Sequence, residues 1–338
     1  MKFVDILRHG SDDDLLDLER QQNFLESIDR GEWDLVIATP PCNTFSRAVF
    51  SKSPGPRPRR DVMWPWGFPW LKKEDRVKVD EANNLVTFSF ECLRRAALAT
   101  CHDWRITRGL LEHPEDLGTA ARGEPASIWQ LPECTSLVWL GYHRGALHQC
   151  AVAGGTTSKP TGLLTSVPEL ASRDEFHLGL PVFDSGPSPG GSWLQRRYDG
   201  PLPQSCGHVH GPGLLGASEC GQFWASSAAS YPWGMLRWLA EAIAEDFLSR
   251  WRAGRCTSSS GGSAGTMAPI IETPEPQLIK IPVRAFIDDV SNLLEEDIVY
   301  CGRSHRKLGL PKSAFANWPA ADQGVQGDRE RAVVSYRA

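Results

Sequence analysis

A cysteine follows the end of a predicted strand. The continuous apolar run WDLVIAT, residues 33–39, is typical of a buried parallel strand, and Pro40, Pro41 and Cys42 come directly after it. The two prolines restrict the backbone that leads to the thiol. Open parallel sheets bind ligands at the carboxyl ends of their strands, where a thiolate nucleophile would be useful. A buried, unreactive cysteine after a tight turn is the alternative.

A carboxylate ends the next predicted strand along the chain. WRITRGLLEHP, residues 104–114, carries Glu112 close to its end. Parallel neighbours would bring Cys42 and Glu112 to the same edge of the sheet. There, a thiolate could add to C6 of a pyrimidine while the acid hydrogen bonds N3, which would let C5 accept a methyl group. A strand-end carboxylate that only caps or forms a surface ion pair is the alternative for Glu112.

The elements that must position these two side chains alternate between strand and helix. KFVDIL is a short apolar run, DDLLDLERQQNFLESIDR has leucines at helical spacing, and residues 74–104 form one long helical pattern. This order predicts an α/β, Rossmann-like, doubly wound parallel sheet. The apolar spacing in ASYPWGMLRWLAEAIAEDFLSRW predicts an amphipathic closing helix.

The domain organisation follows from changes in composition. We predict an incomplete catalytic domain over 1–140, a β-rich, partly irregular recognition-like region over 141–225, and a closing helix over 226–253. Residues 181–222 are rich in Gly, Pro and Ser and are predicted to be irregular. A flexible linker over 254–275 and a separate small α+β unit over 276–338 complete the prediction.

The net charge and the cysteine content limit the classes to which this protein could belong. The 338 residues carry a formal net charge of −5, so the chain as a whole lacks the basic character of many nucleic-acid-binding proteins. Nine cysteines occur without a CxxC pair, and no apolar stretch is long enough to span a membrane. We therefore expect reduced thiols, an intracellular location and no membrane partner.

The motif around the cysteine resembles the cytosine-5 DNA methyltransferase family. The resemblance rests on Pro40-Pro41-Cys42 with Ser46, and on the later Glu112-x-Pro114. It implies S-adenosylmethionine as the methyl donor and a flipped cytosine in DNA as the acceptor, and hence the nucleus as the compartment. Cys42 would be the nucleophile and Glu112 the acid at N3. The positions implied to hold the donor are Asp5, Asp14, Thr39 and Pro40.

The sequence departs from that family in ways that suggest a second function. No Gly-rich turn precedes Asp5, so the first strand of the sheet is expected to be missing by N-terminal truncation. His113 stands where the family has Asn, and no Gln-x-Arg-x-Arg motif follows. The alternative function is a non-catalytic module that binds nucleic acid or a protein. An adenine or RNA-base methyltransferase is disfavoured, because Cys42 replaces the aromatic residue that follows Pro-Pro in that class.

The segment between the cysteine and the long helix contains the candidate nucleic-acid contacts. Trp64, Trp66 and Trp70 could stack on bases, or they could pack against the domain. The polar candidates for binding nucleic acid are Ser46, Arg47, Arg57, Arg59 and Arg60.

Two further groups of residues carry weaker signals. HQC and CGHVH supply zinc-ligand types, but their spacing matches no standard site, so buried cysteines with surface histidines are favoured and no metal is expected. The candidate ligands there are His148, Cys150, Cys206, His208 and His210. The C-terminal stretch resembles a small uncharacterised domain with YxGR and SxxxNP motifs. The matching residues here are Tyr300-Cys301-Gly302-Arg303 and Ser313 to Asn317. This unit is expected to be truncated and to have a partner that the sequence does not identify.

Overall fold

The computed structural model describes most of residues 14–257. The described residues are 2–3, 14–51, 56–99, 106–154, 158–187, 190–191, 194–210, 231–257 and 332–333. Asp5, nearly all of the predicted linker and the motifs of the C-terminal unit lie outside them.

A five-stranded mixed sheet forms the centre of the molecule. Its strands are β2 (Leu35–Ala38), β3 (Arg108–Pro114), β4 (His143–His148), β5 (Pro160–Thr165) and β6 (His177–Leu178). Their order is β2-β3-β5-β4-β6. Among neighbouring strands of this sheet, β2 and β3 pair in parallel, whereas β5 is antiparallel to β3 and β4, and β6 is antiparallel to β4. Mixed α/β architecture is confirmed, but a uniformly parallel sheet is not found in the described residues.

The strands after residue 140 belong to this central sheet. β5 lies directly against β3 and pairs Leu163 with Glu112. The expected recognition-like region therefore contributes three strands to the sheet that carries Glu112. A buried strand looks the same in sequence whether its neighbour is parallel or antiparallel, because both faces are covered in either case.

Helices cover both faces of the sheet. They are α1 (Leu18–Asp29), α2 (Lys73–Leu98), α3 (Pro132–Trp139), α4 (Gln149–Ala153), α5 (Pro168–Ala171) and α6 (Trp233–Thr257). The Asp17 side chain caps α1 by accepting from the backbone N–H of Glu19, 2.9 Å away, which satisfies a donor that the first turn leaves unpaired. None of the helices in the described part of the chain has a stretch both long and apolar enough to cross a membrane.

Two hydrophobic cores lie on opposite faces of the sheet. One core contains Leu111 of β3 together with the apolar face of α2. The other contains Leu110 together with α6. Successive residues of a strand point to opposite faces, so this alternation also fixes the faces of the polar residues that follow Leu111.

Two smaller strand pairs complete the described structure. β1 (Lys2–Phe3) pairs in parallel with β9 (Ala332–Val333). β7 (Val182–Pro187) and β8 (Leu194–Gly200) form an antiparallel hairpin. The prediction that 181–222 is irregular was wrong for this hairpin. Its glycines and prolines suggested a loop, but cross-strand pairing includes Gly186 and Pro187.

Candidate active site

The carboxyl ends of β2 and β3 define one edge of the sheet. In the parallel register, Ile37 lies opposite Leu110 and Ala38 opposite Leu111. Glu112 is the next residue of β3, and the chain leaving β2 reaches Cys42 four residues after Ala38. The two residues predicted to act together thus extend from neighbouring parallel strands at the same edge.

Cys42 lies in an exposed turn just beyond β2. Its thiol is not in a disulfide, and its carbonyl accepts from the N–H of Phe45, 3.0 Å away. Ser46 follows and caps a short 3-10 turn, Arg47–Phe50, by accepting from the N–H of Ala48 at 3.2 Å. Ser46, predicted to contact nucleic acid, therefore has a local structural role.

Phe45 attaches this turn to the protein interior. Its ring is 4% exposed and meets the imidazole of His113 edge to face, with 5.5 Å between the ring centres. The guanidinium of Arg60 lies over the same phenyl ring, 3.8 Å from its centre. The segment that carries Cys42 is thereby packed against the residue that follows Glu112.

The side chain of Glu112 is nearly buried, and one of its two carboxyl oxygens has a hydrogen-bond partner in the described structure. Its Oε2 accepts a hydrogen bond from the hydroxyl of Tyr231, whereas its buried Oε1 has no hydrogen-bond partner among the described residues. The Lys159 ammonium lies 5.2 Å from the Tyr231 ring centre. A buried polar atom without a hydrogen-bond partner costs free energy, so Oε1 is available to hydrogen bond a ligand. Tyr231 could not be predicted from the sequence, because its contact with Glu112 joins segments far apart in the chain.

His113 points to the opposite face from Glu112. It packs between Phe45 and Trp129, whose ring centre is 6.3 Å away, and neither ring nitrogen has a hydrogen-bond partner in the described structure. Burial, together with the positive charges of Arg60 and Lys159, lowers the pKa of His113 to about 3. The imidazole is therefore neutral and serves as a packing group.

A buried ion pair follows β3. The guanidinium of Arg144 hydrogen bonds Glu115, and the exposed fractions of their side chains are 1% and 0%. The Tyr198 hydroxyl donates to the other oxygen of Glu115 at 3.0 Å, and Arg144 lies 4.7 Å from the centre of the Trp129 ring. Burial raises the pKa of Glu115, and the charge of Arg144 opposes that rise. This pair links β4 to the chain segment immediately beyond β3.

Arg47 connects the two segments that leave β2 and β3. Its guanidinium donates to the carbonyls of Gly118 and Thr119, the second at 2.6 Å. Burial lowers the pKa of Arg47, with Asp116 opposing the change, and burial also raises the pKa of Asp116. A small cleft lies between these segments and is lined in part by Arg47, His113 and Asp116. Arg47 was predicted to bind nucleic acid, but its hydrogen bonds are with the protein backbone.

The three remaining arginine candidates differ in exposure. Arg60 is 0% exposed and donates to the Asn83 side chain at 2.9 Å and to the carbonyl of Pro65 at 2.8 Å, so the prediction that it contacts phosphate was wrong. Burial lowers the pKa of Arg60 to about 9. Arg59 forms an ion pair with Asp75 at 2.6 Å, and Arg57 is exposed.

The tryptophan-rich segment presents aromatic surface to solvent. Trp64, Trp66 and Trp70 are 46%, 38% and 68% exposed. Trp70 stacks on Phe68, with 5.0 Å between ring centres, and meets Trp64 edge to face at 6.1 Å. We name Trp64, Trp66, Phe68 and Trp70 the aromatic cluster. Because Trp64, Phe68 and Trp70 contact one another, these three rings form an ordered surface.

The predicted donor-binding residues are only partly described. Asp5 lies outside the described residues, and Asp14 accepts from the N–H of Leu16 at 2.9 Å. Thr39 and Leu15, the residue after Asp14, line one small cavity with apolar side chains of α2. Pro40, the residue after Thr39, is buried. The lining of this cavity is mostly apolar.

A cluster of cysteine and histidine side chains lies beyond the carboxyl end of β4, which is at the same edge of the sheet because β5 is antiparallel to both β3 and β4. The ligand-type atoms of Cys150, Cys206, His208 and His210 all lie within 4.8 Å of one another. The two sulfur atoms are 3.6 Å apart, and burial together with the Cys206 thiol raises the pKa of Cys150 to about 11. These are four of the five residues that the sequence analysis named as zinc-ligand types.

Family models, curated proteins and solved structures were compared with the chain, and none of them matches it.

Proposed function

We propose that this chain has the Rossmann-like fold and chemistry of a cytosine-5 DNA methyltransferase, with S-adenosylmethionine as the donor. The observation that carries the proposal is the parallel pairing of β2 with β3. It puts Glu112 at the sheet edge from which the Cys42 turn extends. Substrates of open α/β sheets bind at such an edge.

Cys42 would act as the nucleophile. Its exposure lets an extruded base reach the thiol, and the packing of Phe45 on His113 limits how far the turn can move. The thiolate would add to C6 of cytosine and form a C–S bond, which makes C5 electron-rich. Bound S-adenosylmethionine would supply an electrophilic methyl group to that carbon. After the proton on C5 leaves to solvent, the C–S bond would break and restore the thiolate.

Glu112 would stabilise the negative charge that develops on the ring. As a carboxylic acid, Glu112 would donate a hydrogen bond from the unpaired Oε1 to N3 of the pyrimidine, while Tyr231 holds Oε2. A preorganised group of this kind stabilises the transition state without reorganising during the reaction. The low exposure of Glu112 strengthens the interaction, because little water competes for it.

The donor would occupy the region next to β2. Leu15 and Thr39 line the apolar cavity there, beside Asp14 and Pro40, and these residues would receive the adenine ring. The cavity is small, so α1 and α2 would have to adjust around the ring. The chain's contribution would be to orient the donor toward the edge that carries Cys42.

A second candidate function is a non-catalytic nucleic-acid-binding module. The exposed aromatic cluster favours it, since aromatic side chains stack on unpaired bases regardless of their identity. Exposed Arg57 precedes the cluster and could contact phosphate. The cluster would also suit the enzyme, which must hold unpaired nucleic acid around a flipped base.

The decisive experiment is a covalent trap. The full chain is incubated with S-adenosylmethionine and DNA containing 5-fluorocytosine, whose C5 fluorine cannot leave as a proton does, so the C–S adduct persists. We expect an adduct on Cys42 by peptide mass spectrometry, with none in Cys42→Ala. Asn43→Ala, an exposed neighbour, is the matched control and should keep the adduct.

Donor binding, measured separately by calorimetry, distinguishes the two candidate functions. Adduct formation that depends on both Cys42 and the donor supports the enzyme. Donor binding with an adduct that survives in Cys42→Ala would exclude Cys42 as the nucleophile. DNA binding without donor binding or adduct would favour the non-catalytic module.

A further inference from the structure

We infer that Cys150, Cys206, His208 and His210 form a structural zinc site. This inference is independent of the methyl-transfer proposal. The four side chains come from two segments, α4 and residues 206–210, which the fold brings together. Two thiols and two imidazoles are the ligand set of closed, tetrahedral zinc sites.

Most of the separations between ligand atoms are close to those of a tetrahedral arrangement around one ion, and Cys206 and His210 would move slightly apart on binding. Zinc–sulfur and zinc–nitrogen bonds of usual length place two sulfur ligands about 3.8 Å apart and a sulfur and a nitrogen about 3.6 Å apart. The two sulfurs here are 3.6 Å apart, and Nε2 of His210 is 3.2 Å from Cys150 Sγ. Cys206 Sγ lies 3.9 Å from Nε2 of His208 and 2.9 Å from Nε2 of His210. One ion can therefore reach all four atoms.

The backbone explains why this unusual spacing works. Cys206 and His208 are separated by Gly207, whose φ is +81°, a left-handed conformation that glycine adopts without strain. The turn directs Cys206, His208 and His210 toward one point. Cys150 comes from the first turn after β4, and it is 2% exposed. The remaining ligands are partly or fully exposed, so an ion can enter from solvent.

His148 is adjacent but is not a ligand. Its Nε2 lies 3.1 Å from the carbonyl of Pro203 and its Nδ1 lies 3.2 Å from the hydroxyl of Ser158, so both ring nitrogens are used. This separates His148 from the other four candidates, although the sequence grouped all five together. It also provides a histidine control close to the site.

A bound zinc ion would link residues 201–210 to α4, the helix that follows β4. Binding would convert two thiols to thiolates, release their two protons to solvent and form two Zn–S and two Zn–N bonds. Four protein ligands leave no open position for a water or substrate, which assigns the ion a structural role. Among the described residues, the contacts of His148 hold the same segment from its other end.

The test uses the full chain, purified under reducing conditions without a histidine tag. We expect about one zinc per chain by elemental mass spectrometry, in line with a single tetrahedral site. After chelation, Co²⁺ should give the intense visible bands of a tetrahedral ion and a thiolate-to-metal charge-transfer band. Added zinc should abolish both signals.

Variants decide which residues bind the metal. Cys206→Ser and His210→Asn should lose the zinc and the tetrahedral cobalt spectrum, whereas His148→Asn and Cys42→Ser should keep both. Circular dichroism checks that each variant remains folded. Cobalt titration of the chelated wild-type chain tests the site even if a ligand variant fails to fold. Three outcomes would overturn the assignment. The first is folded, zinc-free protein that gives no tetrahedral cobalt spectrum. The others are zinc retained in Cys206→Ser and a Cys150–Cys206 disulfide in freshly reduced protein.

Discussion

The ring of Phe45 lies edge to face with the imidazole of His113, with 5.5 Å between their centres. Phe45 is three residues after Cys42, and His113 directly follows Glu112. One aromatic contact thus joins the segments that carry the two proposed catalytic side chains. This buried contact limits how far the two segments can move relative to each other.

Phe45→Ala should destabilise the protein and loosen the Cys42 turn. Removing a buried phenyl ring costs about 3–5 kcal/mol of unfolding free energy. The loss would also expose Arg60, whose guanidinium lies over the ring. Urea unfolding measures the change, and Asn43→Ala should stay within about 0.5 kcal/mol of wild type. Equal stabilities of Phe45→Ala and wild type would show that the contact does not hold the turn.

The stability contributed by neutral His113 should depend on pH. The pKa of His113 falls from 6.5 to about 3 on folding, so the unfolded chain binds a proton across that interval and the folded chain does not. Unfolding free energy should therefore decrease as the pH falls below about 6.5, by about 1.4 kcal/mol per pH unit.

His113→Phe isolates this contribution. The variant lacks the titrating ring, so the decrease between about pH 7 and pH 5 should be about 2 kcal/mol smaller than in wild type. Urea unfolding at each pH gives both curves, and the subtraction removes groups that titrate in both proteins. Parallel curves would mean that His113 is protonated in the folded state.

Tyr231→Phe should slow methyl transfer without changing donor binding. The hydroxyl of Tyr231 donates to Glu112, and a hydrogen bond to an ionisable group is worth about 1.5–3 kcal/mol, or about 10–100-fold in rate. Single-turnover transfer measures the effect. Trp233→Phe, an exposed residue two positions later, should keep the wild-type rate. A Tyr231→Phe enzyme at full rate would remove Tyr231 from the site.

Trp70→Ala should weaken binding of single-stranded DNA. Stacking of one base on one aromatic side chain contributes about 1–3 kcal/mol, so affinity should fall by about tenfold or more. Trp139→Ala is the matched control, because Trp139 is 86% exposed but lies on α3, outside the aromatic cluster. Fluorescence anisotropy with a labelled oligonucleotide gives both affinities. Equal losses in the two variants would contradict a specific role for the cluster.

Arg144→Met should be strongly destabilising. It would leave the buried Glu115 carboxyl without its cationic partner, which costs about 3–5 kcal/mol. Arg237→Ala breaks an exposed pair with Glu241 instead and should cost less than about 0.5 kcal/mol. Thermal and urea unfolding compare the two. Adding Glu115→Gln to Arg144→Met should recover part of the loss, since the buried group no longer needs a counter-charge.

Local patterns predicted the main elements of the sheet edge. The run WDLVIAT contains β2, and the apolar spacing of residues 74–104 predicted α2 with its start one residue late and its end beyond the observed Leu98. These features depend on burial periodicity, which is local. The direction of β5 relative to β3 could not be predicted. The sequence of an apolar strand with a neighbour on each side does not indicate whether it runs parallel or antiparallel to them.

Long-range contacts account for what the sequence did not show. Arg60 looked like a surface arginine because its neighbours Arg57 and Arg59 are polar, yet it is buried through acceptors that include Asn83 of α2. The sequence spacing of Cys150, Cys206, His208 and His210 matches no standard zinc site, although the fold brings these residues together. Tyr231 carried no recognisable motif for contacting Glu112.

Glu112 and His113 are adjacent in the chain but belong to opposite faces of β3. The length of this strand is therefore a functional constraint. A one-residue deletion between Arg108 and Leu111 would exchange the faces of the carboxyl and imidazole groups, although every residue type would be retained. We expect single-residue insertions and deletions in β3 to abolish the site.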